Sequence, residues 1–159
     1  MTDNSFAIEL GDKRTKEPED DFPEEDVDPH GEYTAFERGM LEYCREWDCL
    51  VYIHLGRAGT VVLELDRDIG RVLFEFPDEL ASFAAGKPFN LHLWEIGTKF
   101  IFCQEGRFAI CNIGSDRIPF ATNEILGAFR SFLRELCDRA EREGYVTRQD
   151  ANAFCLSCE

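Results

Sequence analysis

Apolar side chains recur at intervals of three and four near each end of the chain and at intervals of two through most of the middle. Phe36, Met40, Tyr43, Cys44 and Trp47 share one helical stripe, and Thr34 stands where an amino-terminal cap belongs, so the spacing predicts a helix over residues 35–47. The strongest pattern comes later. Ile125, Leu126, Phe129, Phe132, Leu133, Leu136, Cys137 and Ala140 fall on one face, while Arg130, Arg134, Glu135, Asp138, Arg139 and Glu141 fall on the other. This predicts a long helix over 123–143, with Gly144 just past its end. Each large side chain buried there is worth about 1.5 to 3 kcal/mol, so the helix must pack on something.

Between the helices the period changes to two. Residues 50–55, 60–65 and 71–76 read as three antiparallel strands of a meander, broken by Gly56-Arg57-Ala58-Gly59 and by residues 67–70. Pro77 stops the third strand, and residues 78–85 read as a short helix or turn. Strand propensity resumes over 89–96, 99–104 and 107–113. A tight turn at Glu105-Gly106 would set Cys103 opposite Phe108 and Phe100 opposite Cys111, which puts Cys103 and Cys111 on opposite faces of the sheet. Phe6, Ile8 and Leu10 alternate with Ala7 and Glu9 as a short edge strand would, and residues 147–159 read as an irregular tail. The expected architecture is α+β. It is a single antiparallel sheet of about six strands packed against an amino-terminal and a long carboxy-terminal helix over 32–146, with an arm at 1–31 and a tail at 147–159.

The hairpin over 100–113 is apolar on both faces, with Phe100, Phe102, Ala109 and Cys111 on one and Ile101, Cys103, Phe108 and Ile110 on the other. The expectation is a central strand pair covered on both sides. The alternative is that one face, with Tyr52 and Trp94, meets another chain.

Charge changes the picture. Eight of the twelve residues from 17 to 28 are carboxylates, with two prolines and no base among them. Such a run cannot bury enough apolar surface to offset its ordering entropy, so disorder is expected over 12–31. The first 31 residues carry a net charge of −8, which leaves −7 of the total −15 for the rest. This balance repels phosphate backbones and anionic bilayers, and it attracts cationic proteins, whose encounter rate it can raise by about tenfold to a thousandfold at low salt. With no apolar run near the roughly 18 residues of a membrane span, and no basic-then-hydrophobic leader, the expected location is the cytoplasm. The seven cysteines are then expected to be reduced, several of them buried.

The candidate chemistries are sparse. Cys155-x-x-Cys158 has a redox or zinc-ligand spacing, with Cys44, Cys49, Cys103 and Cys111 as conceivable partners, but a CxxC without a following helix to lower its thiol pKa is a weak redox signature. His30, His54 and His92 are the only histidines; strand alternation places the last two on sheet faces rather than beside a nucleophile. Glu64, Glu75 and Glu95 are linked only by outward strand positions, no serine sits in a nucleophile elbow, and residues 56–59 lack the lysine and hydroxyl of a phosphate loop. The expectation is a protein that is not an enzyme, with no cofactor and no metal.

From Phe36-Glu-Arg-Gly-Met-Leu-Glu-Tyr-Cys, through the strands, to Ile118-Pro-Phe-Ala-Thr-Asn-Glu-Ile-Leu-Gly-Ala-Phe-Arg, the layout resembles small acidic immunity proteins of bacterial polymorphic toxin systems. The resemblance is one of architecture and composition over residues 36–144. It implies a role, binding and occluding a cognate toxin or effector, and carries over no functional residue. Glu19, Asp20, Asp21, Glu24, Glu25 and Asp26 are the candidates for steering a basic partner, and Tyr52 and Trp94 for holding it. Two other readings stand beside this one: an acidic mimic of nucleic acid that blocks a DNA- or RNA-processing protein, and a metal or redox protein built on Cys155 and Cys158.

Overall fold

The side chain of Thr34 accepts the backbone N–H of Glu37 at 3.1 Å, and Glu37 returns a carboxylate oxygen to the Thr34 N–H at 2.9 Å. This reciprocal cap fixes the start of α1 (Ala35–Glu46), which buries Met40, Tyr43 and Cys44 as its spacing predicts. The computed structural model describes residues 5–13, 26–93, 98–113 and 115–159, with 90–93, 98–101 and 113 described in backbone only.

The strands form two antiparallel sheets, not one. The first has the order β1-β2-β3, from β1 (Phe6–Lys13), β2 (Cys49–Leu55) and β3 (Thr60–Glu64). The second has the order β4-β5-β6-β7, from β4 (Phe89–Leu93), β5 (Thr98–Glu105), β6 (Phe108–Ile113) and β7 (Asp116–Ala121). The α+β class expected from the pattern is what is found, and the single six-stranded sheet is not. The predicted strand over 71–76 is the point of failure. Residues 65–75 wind instead through irregular helical turns that include α2 (Gly70–Val72) and lead into α3 (Phe76–Ala84). Leu65, Ile69, Val72, Leu73, Phe76, Leu80 and Phe83 are all buried, a spacing of three and four that runs straight past Pro77. Proline is compatible with the first turn of a helix, where its missing N–H has no partner to lose. β7, which the sequence pattern does not predict, contains Pro119 and lies at the edge of its sheet, where a missing donor is tolerated.

The β5–β6 register pairs Phe102 with Cys111, Cys103 with Ile110 and Glu105 with Phe108, so the turn is Gly106-Arg107, with Gly106 at φ 66°. The pairing is shifted from the expected one, yet Cys103 and Cys111 still occupy opposite faces, because a shift of two residues preserves parity. One face of the hairpin is core, with Phe102, Ala109 and Cys111 buried. The other is not covered as expected: Phe108 is 53% exposed.

The long helix α4 (Thr122–Arg142) buries all eight residues of the predicted stripe. Its Phe129 ring touches Phe6 of β1 at 5.7 Å, Phe89 of β4 at 5.0 Å, Phe102 of β5 at 6.4 Å and Phe76 of α3 at 5.7 Å, and so joins both sheets to one aromatic core. Arg139, on the face expected to be polar, donates to the carbonyls of Gly11 at 2.6 Å and Leu10 at 3.2 Å. Those carbonyls lie where the β1–β2 register breaks between Leu10 and Lys13, and the guanidinium supplies the donors that the ladder lacks there. The expected irregular tail is helical: α5 (Arg148–Ser157) starts at Thr147, whose side chain accepts the Asp150 N–H at 3.2 Å, and it buries Ala151 and Cys155.

Disorder was expected over 12–31. Asp12 and Lys13 belong to β1, and residues 14–25 lie outside the described residues. At the far end Asp28 is 7% exposed and accepts the N–H groups of Glu32 at 2.8 Å and Tyr33 at 3.3 Å, tying the chain down just before the cap of α1.

Candidate functional site

Three helix beginnings and a turn converge on an open groove of about 430 Å³. The first turn of α1 contributes Phe36 and Glu37, the turn before α3 contributes Phe74, α3 contributes Pro77, and α5 contributes Asp150 and Phe154. The rings form a connected wall. Phe36 and Phe154 lie 5.3 Å apart, Phe154 meets Phe74 edge-on at 6.4 Å, and Phe74 meets Tyr33 at 6.3 Å. All three phenylalanines are half-buried and Tyr33 is 42% exposed, so ring faces remain open to solvent.

No lysine, arginine or histidine lines the groove, and its two ionisable side chains are the carboxylates of Glu37 and Asp150. Helix beginnings ordinarily attract anions through their unpaired N–H groups. Here Glu37 sits in the first turn of α1 and Asp150 in that of α5, so the protein's own carboxylates already hold these positions. An incoming anion would meet like charge on both sides. A cation would meet carboxylates and aromatic faces, each of which attracts it by about 0.2 to 1 kcal/mol in accessible sites.

The residues singled out in the sequence do not form this groove. Glu19, Asp20, Asp21, Glu24, Glu25 and Trp94 lie outside the described residues. Asp26 is exposed and its carboxylate accepts the Asp28 N–H at 3.0 Å, which connects the end of the acidic run to the Asp28 anchor beside Tyr33. Tyr52 stands on the outward face of β2, half-buried, stacked on His54 with centroids 6.5 Å apart. His54 in turn contacts Thr60 Oγ1 at 2.9 Å and Glu9 Oε2 at 3.1 Å, an exposed cross-strand cluster of hydroxyl, imidazole and carboxylate. The apolar pattern does not reveal the aromatic wall, because it places Phe74 on a strand and Phe154 in a tail. Only the helical spacing of residues 65–83 could have signalled the first.

The buried carboxylates serve the backbone. Asp48 accepts the Asp66 N–H at 3.1 Å and Asp68 the Glu64 N–H at 2.8 Å, holding the turns between β3 and α2. Among the described residues, no group of three or more His, Cys, Asp or Glu side chains is arranged to hold a metal. Among them too, no helix is long and apolar enough to cross a membrane. Compared with protein families, curated proteins and solved structures, the chain matches none of them.

Proposed function

We propose that this chain is a protein-binding inhibitor of the immunity-protein kind, which docks a basic protein partner and occludes it. The observation that supports this most is the aromatic groove with Glu37 and Asp150 at its rim and no base in its lining. A lysine or arginine of the partner would lay its hydrocarbon stem along Phe36 and Phe154 and present its charge to the carboxylates. Arginine suits the site better than lysine, because its planar guanidinium stacks on rings and is more weakly hydrated. The net charge of −15 would steer the encounter, with Glu19, Asp20, Asp21, Glu24, Glu25 and Asp26 contributing a dense block close in sequence to the groove.

Binding is tested by titrating the labelled full chain with a capped peptide of alternating glycine and arginine while following backbone amide resonances. The expected shifts centre on Phe36, Phe74 and Phe154, weaken with salt, and fall several-fold in affinity for Asp150→Asn. Shifts confined to the outward face of β2, or equal shifts with a glycine–glutamate peptide, would refute the groove. Inhibition is tested by co-expressing the chain with the protein encoded beside it: relief of that protein's toxicity is expected, and a metabolic enzyme as the neighbour would weigh against the reading. Neutralising the six steering carboxylates to Asn and Gln should slow association about tenfold or more at low salt. An unchanged rate would remove them from the mechanism.

A further inference from the structure

The groove between α1, α3 and α5 offers a cation more ring surface than hydrogen-bond acceptors. Phe36 and Phe154 lie 5.3 Å apart with their planes tilted by 41°, and Phe74 stands almost perpendicular to Phe154, at 82° and 6.4 Å. Ala35, Pro77 and Ala153 complete the apolar lining. Of the two carboxylates, Glu37 already gives one oxygen to the Thr34 N–H at 2.9 Å, while Asp150 is exposed. A cation that carries N–H groups leaves hydrogen bonds to water behind, and such a wall replaces them only in part. A quaternary ammonium has no N–H to satisfy. Its methyl groups bring the positive charge against the ring faces, and the carboxylates act on it through charge alone.

We infer that the groove binds a trimethylammonium group, presented as the side chain of a trimethylated lysine on the protein partner. This rests on the groove being the cation site proposed above, and it names the cation that the site prefers. Each methyl added to a lysine removes an N–H and adds apolar surface for Phe36, Phe74 and Phe154, so affinity rises with methylation. Arginine, stacked flat on a ring, is a weaker ligand of the same groove.

Charge and size together favour a group borne on lysine. A free trimethylammonium compound that also carries a phosphate or carboxylate would bring an anion toward Glu37, Asp150 and a chain of net charge −15. A lysine side chain brings none. A groove of about 430 Å³ suits a ligand larger than the head group alone. The aromatic row also runs on from Phe74 to Tyr33, 6.3 Å away, where the hydrocarbon stem and the adjoining backbone would lie.

The test uses four capped glycine-rich peptides, identical except for one central residue: lysine, trimethyl-lysine, arginine, or the neutral analogue in which carbon replaces the trimethylammonium nitrogen. Each is titrated against the full chain by calorimetry at low salt, and backbone amide shifts locate the site. Trimethyl-lysine should bind about tenfold tighter than lysine or the neutral analogue and several-fold tighter than arginine, with shifts centred on Phe36, Phe74 and Phe154. Phe154→Leu keeps an apolar side chain but removes a ring, and should abolish the preference for trimethyl-lysine over the neutral analogue. Free choline should compete only at concentrations about tenfold higher or more. Equal binding of the neutral analogue would overturn the proposal, because the groove would then be reading apolar surface and not charge. Choline that binds as tightly as the peptide would overturn the assignment to lysine. Arginine binding without any gain from methylation would overturn the proposal but leave the groove as a cation site, whereas no binding of any cationic peptide would remove both. Because the four peptides are compared on the wild-type chain, the outcome does not depend on the variant folding.

Discussion

Gly39 has the least tolerant position on α1. A Cβ there would lie 2.2 Å from the Tyr145 carbonyl oxygen and 3.0 Å from Val146 Cγ1, so the segment after α4 could not stay where it is. Gly39→Ala should cost about 2 to 3 kcal/mol, read from the urea midpoint at constant m, although alanine is the better helix former. A second prediction at this scale concerns buried acids. Burial pushes the Tyr43 hydroxyl up to about 12 and the Cys111 thiol up to about 11. In each case the folded state holds its proton more tightly than the unfolded chain does. Their contribution is therefore complete below the unfolded pKa, near 9 for the thiol and 10 for the phenol, and is lost as pH rises through the folded values. Stability should be unaffected by these groups at pH 8 and should fall by about 1 kcal/mol per pH unit between pH 9 and 11 for the thiol and between pH 10 and 12 for the phenol. Denaturation at pH 8.0, 9.5 and 10.5 measures it, and Cys111→Val should flatten the first part of the slope. That Tyr43 and Cys111 lie on apolar faces is legible in the chain; which neighbour each meets is not.

At the scale of elements, α1 and α4 were read with their faces correct because their apolar period is long and their ends are capped. Thr34→Ala removes the side-chain acceptor of the α1 cap and should cost about 1 kcal/mol, with faster amide exchange at Glu37 as the local sign. Such a loss would also loosen one wall of the groove. The elements that escaped were those in which local signals conflict. Residues 71–76 are rich in strand formers yet helical, because Leu73 and Phe76 are buried in succession with Ile69 and Leu80 on one side of a winding chain. α5 is ten residues long and carries only modest amphipathicity, and it is held by Arg130 and Arg134 of α4 and by its buried Ala151 and Cys155 rather than by its own propensity. Short helices are marginal alone and are made by their neighbours.

For the whole molecule, Phe129 is the joint. It contacts rings from β1, α3, β4 and β5, so Phe129→Ala should cost about 3 to 5 kcal/mol, toward the upper part of the range because four separate elements line the space it leaves. The net charge of −15 acts at this scale too. Like charges repel more strongly in the compact state than in the expanded one, so Tm should rise by several degrees between low salt and about 0.3 M sodium chloride, by screening alone. No rise would mean that ion pairs such as Arg139–Glu135, at 2.8 Å, offset the repulsion.

By itself the amino-acid order determined the α+β class, the two principal helices and their buried faces, most strands, and an anionic surplus. These follow from periodicity and charge, which are local or additive. Only tertiary structure decided that the strands divide into two sheets, that Phe36, Phe74 and Phe154 share one groove, and that residues 148–157 pack as a helix on α4. Each depends on how distant segments turn to satisfy buried surface and backbone hydrogen bonds together, and no window of neighbouring residues contains that information.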